Sequence, residues 1–216
     1  MIKAVVLDLD GTLLYTLPDI AYAGNAALEQ NGVPSQPVEA YQHFIGNGIR
    51  KALWRATACP DLKEETLNRI HEVFESIYPV HCVDRTDYYP GIREALAEFS
   101  RRGVKLGVYT NKTDETAAKV VRHYFPEVPF AFIWGNHSGR PLKPDAGGAK
   151  EFCRLMEVKP EEVAFVGDSD VDMIFANNGG LLPVGALWGY RGREELLGAG
   201  AKLLADTPAD LPKIIY

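Results

Sequence analysis

The stretch Lys3-Ala4-Val5-Val6-Leu7-Asp8-Leu9-Asp10-Gly11-Thr12-Leu13-Leu14 decides the fold of this 216-residue chain. The apolar run before Asp8 includes two β-branched valines and predicts a strand that is buried on both faces. Asp8 and Asp10 follow at the carboxyl end of that strand, so in extended backbone their carboxylates would start on the same side and repel each other. A cation or a shared proton would relieve this repulsion. The alternative is that Asp10 only caps the Asp-Gly turn.

Composition indicates a globular protein with one core and room for a smaller subdomain, since 46% of the residues are apolar and 24% are charged. We expect neither a membrane span nor secretion, because the chain has no apolar run of about 18 residues and no signal-peptide pattern. Three separated cysteines predict reduced thiols in a cytoplasmic protein and argue against a zinc site. The net charge of −6 argues against a nucleic-acid surface.

A block of helices is predicted after the first strand. Residues 18–31 should form a helix, because a hydroxyl, a proline and an acid stand near its start and a glycine follows its end. Further helices are predicted over residues 47–58 and 64–78, the second with a clear apolar face. Because no strand signal interrupts residues 16–84, this block is predicted to be an insertion.

From residue 88 onward, helices and strands alternate. This order predicts a parallel sheet with helices on both faces, and ligands of such sheets bind at the carboxyl ends of the strands. The fold class is therefore α/β, with a core formed by residues 1–14 and 88–216 and a helical part formed by residues 15–87. The strands predicted after residue 88 are 105–109, 130–134, 163–166 and 182–187.

Polar residues follow two of these strands. Thr110 alone would be read as a helix cap and Asp168 alone as a turn residue. In a parallel sheet, however, Asp8, Asp10 and Asp168 would meet at one edge, where three carboxylates destabilise one another without a metal. Ligands that are all oxygen favour a hard ion such as Mg²⁺, which pairs readily with phosphate. Lys143, fixed in direction by the proline that follows it, is either a solvated lysine or a partner of this acidic cluster.

Four motifs follow one another along the chain at predicted strand ends and loops: Asp8-x-Asp10-Gly11-Thr12-Leu13, Thr110-Asn111-Lys112, Lys143-Pro144 and Gly167-Asp168-Ser169-x-x-Asp172. They resemble the four motifs of the haloacid dehalogenase superfamily. The similarity covers nearly the whole chain and implies a Rossmann-like core with an inserted α-helical cap subdomain, as in the subgroup that contains phosphoglycolate phosphatases. Residues 89–91 resemble the segment that re-enters the core, and residues 44–48 resemble the substrate loop of the cap.

The resemblance implies a role for each acid of the first motif. Asp8 would attack phosphorus and form an aspartyl-phosphate, while Asp10 would protonate the leaving oxygen and then activate water. Asp8, the backbone carbonyl of Asp10 and Asp168 would hold Mg²⁺. The second aspartate also argues against a dehalogenase, because a halide leaving group needs no proton.

The resemblance also implies how phosphate would be held. Thr110 and the backbone amide of Asn111 would bind phosphate oxygens, and Lys143 would neutralise charge on the nucleophile and the phosphate. Asp172 would lie behind the residues that bind Mg²⁺ and phosphate, where it would order Mg²⁺-bound water or Lys143.

The favoured function is a Mg²⁺-dependent phosphatase acting on a small phosphorylated metabolite, with 2-phosphoglycolate as the first choice. The protein would be a cytoplasmic monomer or homodimer that binds neither nucleic acid nor membrane. The first alternative is a sugar-phosphate mutase or a phosphonate hydrolase of the same superfamily, the latter needing a cap lysine for which Lys51 is a positional candidate. A more remote alternative is a non-enzymatic phospho-receiver, which a helical insertion does not fit.

The helical part offers Asn47 between two glycines as a substrate-binding candidate. The glycines allow unusual turns and close approach to a ligand, and the alternative is that Asn47 caps the following helix. Two positions depart from the family pattern. Tyr15 stands where relatives carry an aspartate, and residues 135–140 differ from the usual glycine-and-acid loop. Within that segment Arg140 could clamp a carboxylate, but burial statistics favour a surface arginine.

Overall fold

The computed structural model, which describes residues 1–137 and 139–216, contains a parallel sheet of six strands. The strands are β1 (Ala4–Leu7), β2 (Leu14–Tyr15), β3 (Asp87–Tyr88), β4 (Lys105–Thr113), β5 (Phe130–Asn136), β6 (Val163–Gly167), β7 (Leu182–Ala186) and β8 (Leu203–Ala205). In that part of the chain the strand order is β5-β4-β1-β6-β7-β8, and each of these neighbouring pairs is parallel. The two remaining strands, β2 and β3, form a separate short ladder. The α/β prediction is therefore confirmed.

The helices follow the predicted order, with shifted ends. The first is Leu17–Gln30 where residues 18–31 were predicted, and the last helix of the insertion continues to His81, past the predicted end at residue 78. None of the helices described combines the length and the apolar character needed to span a membrane. They are α1 (Leu17–Gln30), α2 (Tyr41–Phe44), α3 (Ile49–Ala56), α4 (Glu64–His81), α5 (Ile92–Arg101), α6 (Asp114–Tyr124), α7 (Gly147–Leu155), α8 (Asp170–Asn178), α9 (Arg193–Gly198) and α10 (Leu211–Ile214).

The chain divides into two compact units, one of residues 1–14 and 88–216 and the other of residues 15–87. The first unit contains the parallel sheet. The second is helical, and the buried carboxylate of Asp19 in the first turn of α1 connects its two ends. That carboxylate accepts hydrogen bonds from the backbone N–H groups of Arg85 and Thr86, at 3.0 and 2.8 Å, and from the Thr86 hydroxyl. An acid that suits a helix start thus also fixes the last residues of its unit.

The register of the three central strands sets the position of the site. Leu7 of β1 is level with Val108 of β4 and with Val166 of β6. The residues that follow these three positions therefore leave the sheet at the same edge. Strand β4 is longer than the predicted 105–109, because its pairing with β5 resumes at Thr113 after an irregularity in register. Polar side chains end the apolar pattern at residue 110, but the backbone stays extended.

An aromatic layer supports that edge from one face of the sheet. The ring of Tyr109 stacks on Phe175 of α8 with centroids 5.0 Å apart, and Phe175 meets Phe165 of β6 edge-on at 4.8 Å. The Tyr109 hydroxyl donates to the carbonyl of Pro141, at 2.7 Å. A Cβ at Gly148 would lie 2.1 Å from that hydroxyl oxygen, so only glycine fits there. This packing fixes the loop before α7 against the end of β4.

Candidate active site

Asp8 lies at the end of β1 with its side chain nearly buried. Its backbone N–H donates to the carbonyl of Val166, at 2.9 Å, so the residue is held between β1 and β6. Its carboxylate oxygen Oδ1 lies 2.8 Å from Nζ of Lys143. Burial raises the pKa of Asp8 to about 6, and Lys143 opposes this rise while Asp172 and Asp10 add to it. A cation at this carboxylate would therefore be strongly favoured.

Lys143 is the positive centre of the site. Its side chain is only 2% exposed, and Nζ contacts Oδ1 of Asp8 at 2.8 Å and Oδ1 of Asp172 at 2.6 Å. Burial alone would lower the pKa of Lys143, but the charges of Asp172 and Asp8 outweigh it and raise that pKa. These contacts support the interpretation of Lys143 as a partner of the acidic cluster and contradict the interpretation as a solvated lysine.

Asn111 fixes the backbone that carries Lys143. Its Nδ2 donates to the Lys143 carbonyl at 3.1 Å, and its Oδ1 accepts from the Lys143 N–H at 2.9 Å. The sequence suggested a role only for the backbone amide of Asn111. The side chain adds a second function, because it joins the loop of Lys143 to the end of β4. An asparagine with a distant partner gives no sequence signal for such a bond.

Asp168 follows β6, and its side chain is enclosed by two hydrogen-bond donors and two closely packed glycines. Its Oδ1 accepts from the hydroxyl of Thr12 at 2.9 Å, and its Oδ2 accepts from the N–H of Tyr190 at 2.8 Å. A Cβ at Gly189 would lie 2.1 Å from Cβ of Asp168, and one at Gly11, where φ is +84°, would lie 2.3 Å from Oδ2. Sequence reasoning missed the roles of Thr12, Gly189 and Tyr190. The last two lie after β7, and only the tertiary structure brings them to Asp168.

Three carboxylates form the group that could hold a metal ion. Oxygen atoms of Asp8, Asp168 and Asp172 lie within 4.8 Å of one another. Burial raises the pKa of Asp168 well above its usual value, and the charges of Asp172 and Asp8 raise it further. The donors are all oxygen, which suits a hard cation such as Mg²⁺, and a cation would relieve the repulsion that raises these pKa values. The residues present therefore fit a magnesium ion.

Asp172 already uses both of its oxygens. Oδ1 contacts Lys143, and Oδ2 accepts from the N–H and the hydroxyl of Ser169, at 3.1 and 2.6 Å. The bond from the Ser169 N–H, together with the one that the Asp172 N–H donates to the Ser169 hydroxyl at 3.4 Å, forms the capping box at the start of α8. Because its Oδ1 contacts the ammonium directly, Asp172 is placed to orient Lys143.

Asp10 contacts a second lysine. Its Oδ1 lies 2.9 Å from Nζ of Lys112, whose side chain is 5% exposed. Lys112 is the last residue of the second motif, and the resemblance implies no role for its side chain. Thr110, two residues earlier, is buried in β4, and its hydroxyl accepts from the Lys112 N–H at 3.3 Å. The interpretation of Thr110 as a helix cap is wrong, because Thr113 occupies the capping position of α6.

Arg140 differs from the surface arginine that was expected. Its side chain is 9% exposed, and Nη1 donates to Oδ1 of Asp114 at 3.1 Å and to the carbonyl of Gly135 at 2.9 Å. The guanidinium also lies 4.5 Å from the ring centroid of Trp134. Arg140 thus anchors the start of α6 to the end of β5. Ser138, in the same segment, lies outside the described residues.

In the helical unit, Asn47 is held by an arginine. Its Oδ1 accepts from Nη2 of Arg55 at 2.7 Å, and Nη1 of Arg55 donates to the carbonyl of Phe44 at 2.8 Å. The alternative that Asn47 caps the following helix is wrong. Gly48, with φ of +86°, occupies the capping position of α3 and has no side chain that could cap the helix. Lys51 on α3 is exposed.

Comparison with known proteins agrees with this geometry. Residues 5–186 match the family model described as haloacid dehalogenase-like hydrolase. A phosphoglycolate phosphatase of Chromobacterium violaceum is 32% identical over 213 residues, which is 97% of this chain and 95% of the relative. A crystal structure from Lactobacillus delbrueckii subsp. bulgaricus superposes with a TM-score of 0.94 at 31% identity, over 99% of this chain and 98% of that one. The structure of a predicted phosphoglycolate phosphatase from Haemophilus somnus gives 0.90 at 27% identity, over 100% and 98% of the two chains.

Proposed function

Because the chain belongs to the haloacid dehalogenase-like hydrolase family, we propose that it is a Mg²⁺-dependent phosphatase that hydrolyses a small phosphorylated metabolite. The observation that carries the proposal is the contact of Lys143 with both Asp8 and Asp172 beside the carboxylate of Asp168. A buried ammonium among buried carboxylates, at the carboxyl edge of a parallel sheet, is suited to bind a phosphoryl group.

The first step forms a phosphoenzyme. A carboxylate oxygen of Asp8 attacks phosphorus, the bond from phosphorus to the ester oxygen breaks, and the leaving oxygen takes a proton from Asp10. In the second step a water oxygen attacks phosphorus and gives a proton to Asp10. The bond to Asp8 then breaks, which releases inorganic phosphate and restores the Asp8 carboxylate.

Asp8, Asp168 and the backbone carbonyl of Asp10 would hold Mg²⁺, which when bound supplies positive charge to the phosphate oxygens. Lys143 offsets negative charge on Asp8 and on the phosphate, and Asp172 keeps its ammonium in place. The hydroxyl of Thr110 and the N–H of Asn111 would donate to phosphate oxygens. The side chain of Asn111 supports this arrangement, since its two bonds to the Lys143 backbone couple the phosphate loop to the lysine.

We favour 2-phosphoglycolate as the substrate, on the similarity to phosphoglycolate phosphatases over nearly the full chain. The loop of residues 44–48 would select the leaving group through Asn47. Because Arg55 donates to Oδ1 of Asn47, the Nδ2 amide is the donor that this loop would direct at an acidic leaving group.

A panel of phosphorylated metabolites, assayed with Mg²⁺ for phosphate release, tests the proposal. We expect 2-phosphoglycolate to be among the best substrates, and Asp8→Asn to keep the fold but lose about 10⁴-fold of turnover or more. A labelled phosphoenzyme that hydroxylamine cleaves should form with the wild type and be absent from Asp8→Asn. A feeble, flat response across the panel would contradict the phosphatase assignment, and conversion of a sugar phosphate to its isomer without phosphate release would indicate a mutase.

A further inference from the structure

Lys112 is a buried ammonium that the proposed reaction does not yet use. It is close to the end of β4, between Asn111, which holds the Lys143 loop, and Thr113, which pairs with Asn136 of β5. Its own N–H donates to the hydroxyl of Thr110. The backbone of Lys112 is therefore fixed from both sides, and its side chain leaves a rigid part of the sheet edge.

The contact between Lys112 and Asp10 is unlike an ordinary surface ion pair. Exposed pairs such as Arg69 with Glu65 have side chains that are more than half exposed, and pairs of that kind stabilise proteins little. Lys112 is 5% exposed and Asp10 is 19% exposed, with 2.9 Å between Nζ and Oδ1. A lysine is rarely buried to this degree without a specific partner. The pair therefore restrains the orientation of the Asp10 carboxylate.

We infer that Lys112 is a positioning residue for Asp10, in that its contact with Oδ1 holds the carboxylate in the orientation from which it can reach the leaving group. Proton transfer requires the donor and acceptor atoms within hydrogen-bond reach, and small errors of placement cost large factors in rate. A carboxylate that can rotate freely presents either oxygen in many directions. The ion pair removes this freedom on the side of Asp10 that faces β4.

The inference rests on the proposed phosphatase function and predicts a dependence on the leaving group. An alkyl phosphate such as 2-phosphoglycolate needs a proton on its departing oxygen, whereas p-nitrophenolate leaves without one. Hydrolysis of the phosphoenzyme, in which Asp10 accepts a proton from water, is common to both substrates, so the comparison uses kcat/KM, which reports on the first step. A residue that places the proton donor should therefore lower kcat/KM for the first substrate and hardly for the second. A residue that only stabilises the fold should affect both alike.

The experiment measures kcat and KM of Lys112→Met for 2-phosphoglycolate, or for the best alkyl phosphate found, and for p-nitrophenyl phosphate. We expect kcat/KM for the alkyl phosphate to fall by about 10- to 100-fold, as is typical when a supporting partner is removed, and kcat/KM for p-nitrophenyl phosphate to change by less than about three-fold. Lys112→Arg should restore part of the loss, because a guanidinium also reaches the carboxylate. Lys150→Met, which removes an exposed lysine from α7, is the matched control and should change neither substrate.

A second comparison tests whether Lys112 acts through Asp10. In an Asp10→Asn background, Lys112→Met should no longer change the ratio of the two rates, since residues that act as one unit are not additive. Equal losses of kcat/KM on both substrates, or no loss on the alkyl phosphate, would overturn the inference. If the wild type releases phosphate from neither substrate, the phosphatase proposal itself fails. If the wild type is active and Asp10→Asn is selective but Lys112→Met is not, only the role of Lys112 is refuted.

Discussion

Replacing Lys143 with methionine should destabilise the metal-free protein, and more so at alkaline than at acidic pH. The methionine keeps most of the apolar stem but removes the ammonium that contacts Asp8 at 2.8 Å and Asp172 at 2.6 Å. Both carboxylates would then be buried without their cation. The backbone should stay in place, because Asn111 still bonds to the N–H and carbonyl of residue 143.

The magnitude follows from the burial of the pair. Breaking a buried ion pair by removing one partner costs about 3–5 kcal/mol, which we expect at pH 8. In the wild type the pKa of Asp8 is about 6, so the folded protein has released this proton above that pH. The variant should hold a proton at the site to higher pH than either the folded wild type or the unfolded chain. Its stability relative to the wild type therefore falls by up to about 1.4 kcal/mol for each pH unit from 6 to 8.

Urea unfolding in the presence of a chelator, followed by circular dichroism at pH 5, 6 and 8, measures this difference. Lys150→Met is the control for loss of an exposed lysine and should lie within about 0.5 kcal/mol of the wild type. Adding Asp172→Asn to Lys143→Met should recover part of the loss at pH 8, because one of the two unpaired charges disappears. A loss that is the same at pH 5 and pH 8, or one below about 1 kcal/mol at pH 8, would refute the reasoning.

Three further outcomes are expected. Gly189→Ala should weaken Mg²⁺ activation by about 10-fold or more, because its Cβ would lie 2.1 Å from Cβ of Asp168. Gly192→Ala is the control, since its Cβ meets no atom of the described residues within 4 Å, and equal Mg²⁺ titrations of the two variants would contradict the expectation. Mg²⁺ should raise the melting temperature more at pH 7.5 than at pH 5. The metal-free protein loses stability as pH rises from about 4 to about 6, because the raised pKa of Asp8 makes its charged form unfavourable in the folded state. An increase in melting temperature that does not depend on pH would argue against carboxylate ligation. Asn47→Ala should lower kcat/KM for the best metabolite and spare p-nitrophenyl phosphate, whereas parallel losses would leave Asn47 only its bond within the loop.

The parts of the site that the sequence could predict are those fixed by strand ends. Asp8 and Asp168 each follow a short buried strand, and parallel register brings the ends of neighbouring strands to one edge. Lys143 could be placed near them because its loop precedes the helix between two strands. The contact of Lys112 with Asp10 was out of reach, because the apolar pattern of β4 ends at Tyr109 and says nothing of where later side chains point.

The predictions for Arg140 and for Asn47 as a helix cap were wrong for related reasons. Statistics favour an exposed arginine at position 140, but a carboxylate, a carbonyl and an indole ring together offset the cost of burying its guanidinium. Asparagine is a favoured helix cap, but Gly48 takes that position with a positive φ, and Arg55 instead binds the Asn47 side chain. In both cases the deciding partner is a side chain or backbone group several residues away, which local preference does not include.

The raised pKa values of the site's acids explain the hydrogen-bonding and charged partners that surround them. Burial and mutual repulsion raise the pKa of Asp8 and of Asp168, so these carboxylates oppose folding whenever they are charged and no cation is bound. The hydroxyl of Thr12 and the N–H of Tyr190 oppose the rise at Asp168, and Lys143 opposes it at Asp8. Each of these groups stabilises the charged form that would bind metal or attack phosphorus. The same contacts therefore limit the instability of the metal-free site and keep its carboxylates ready for the reaction.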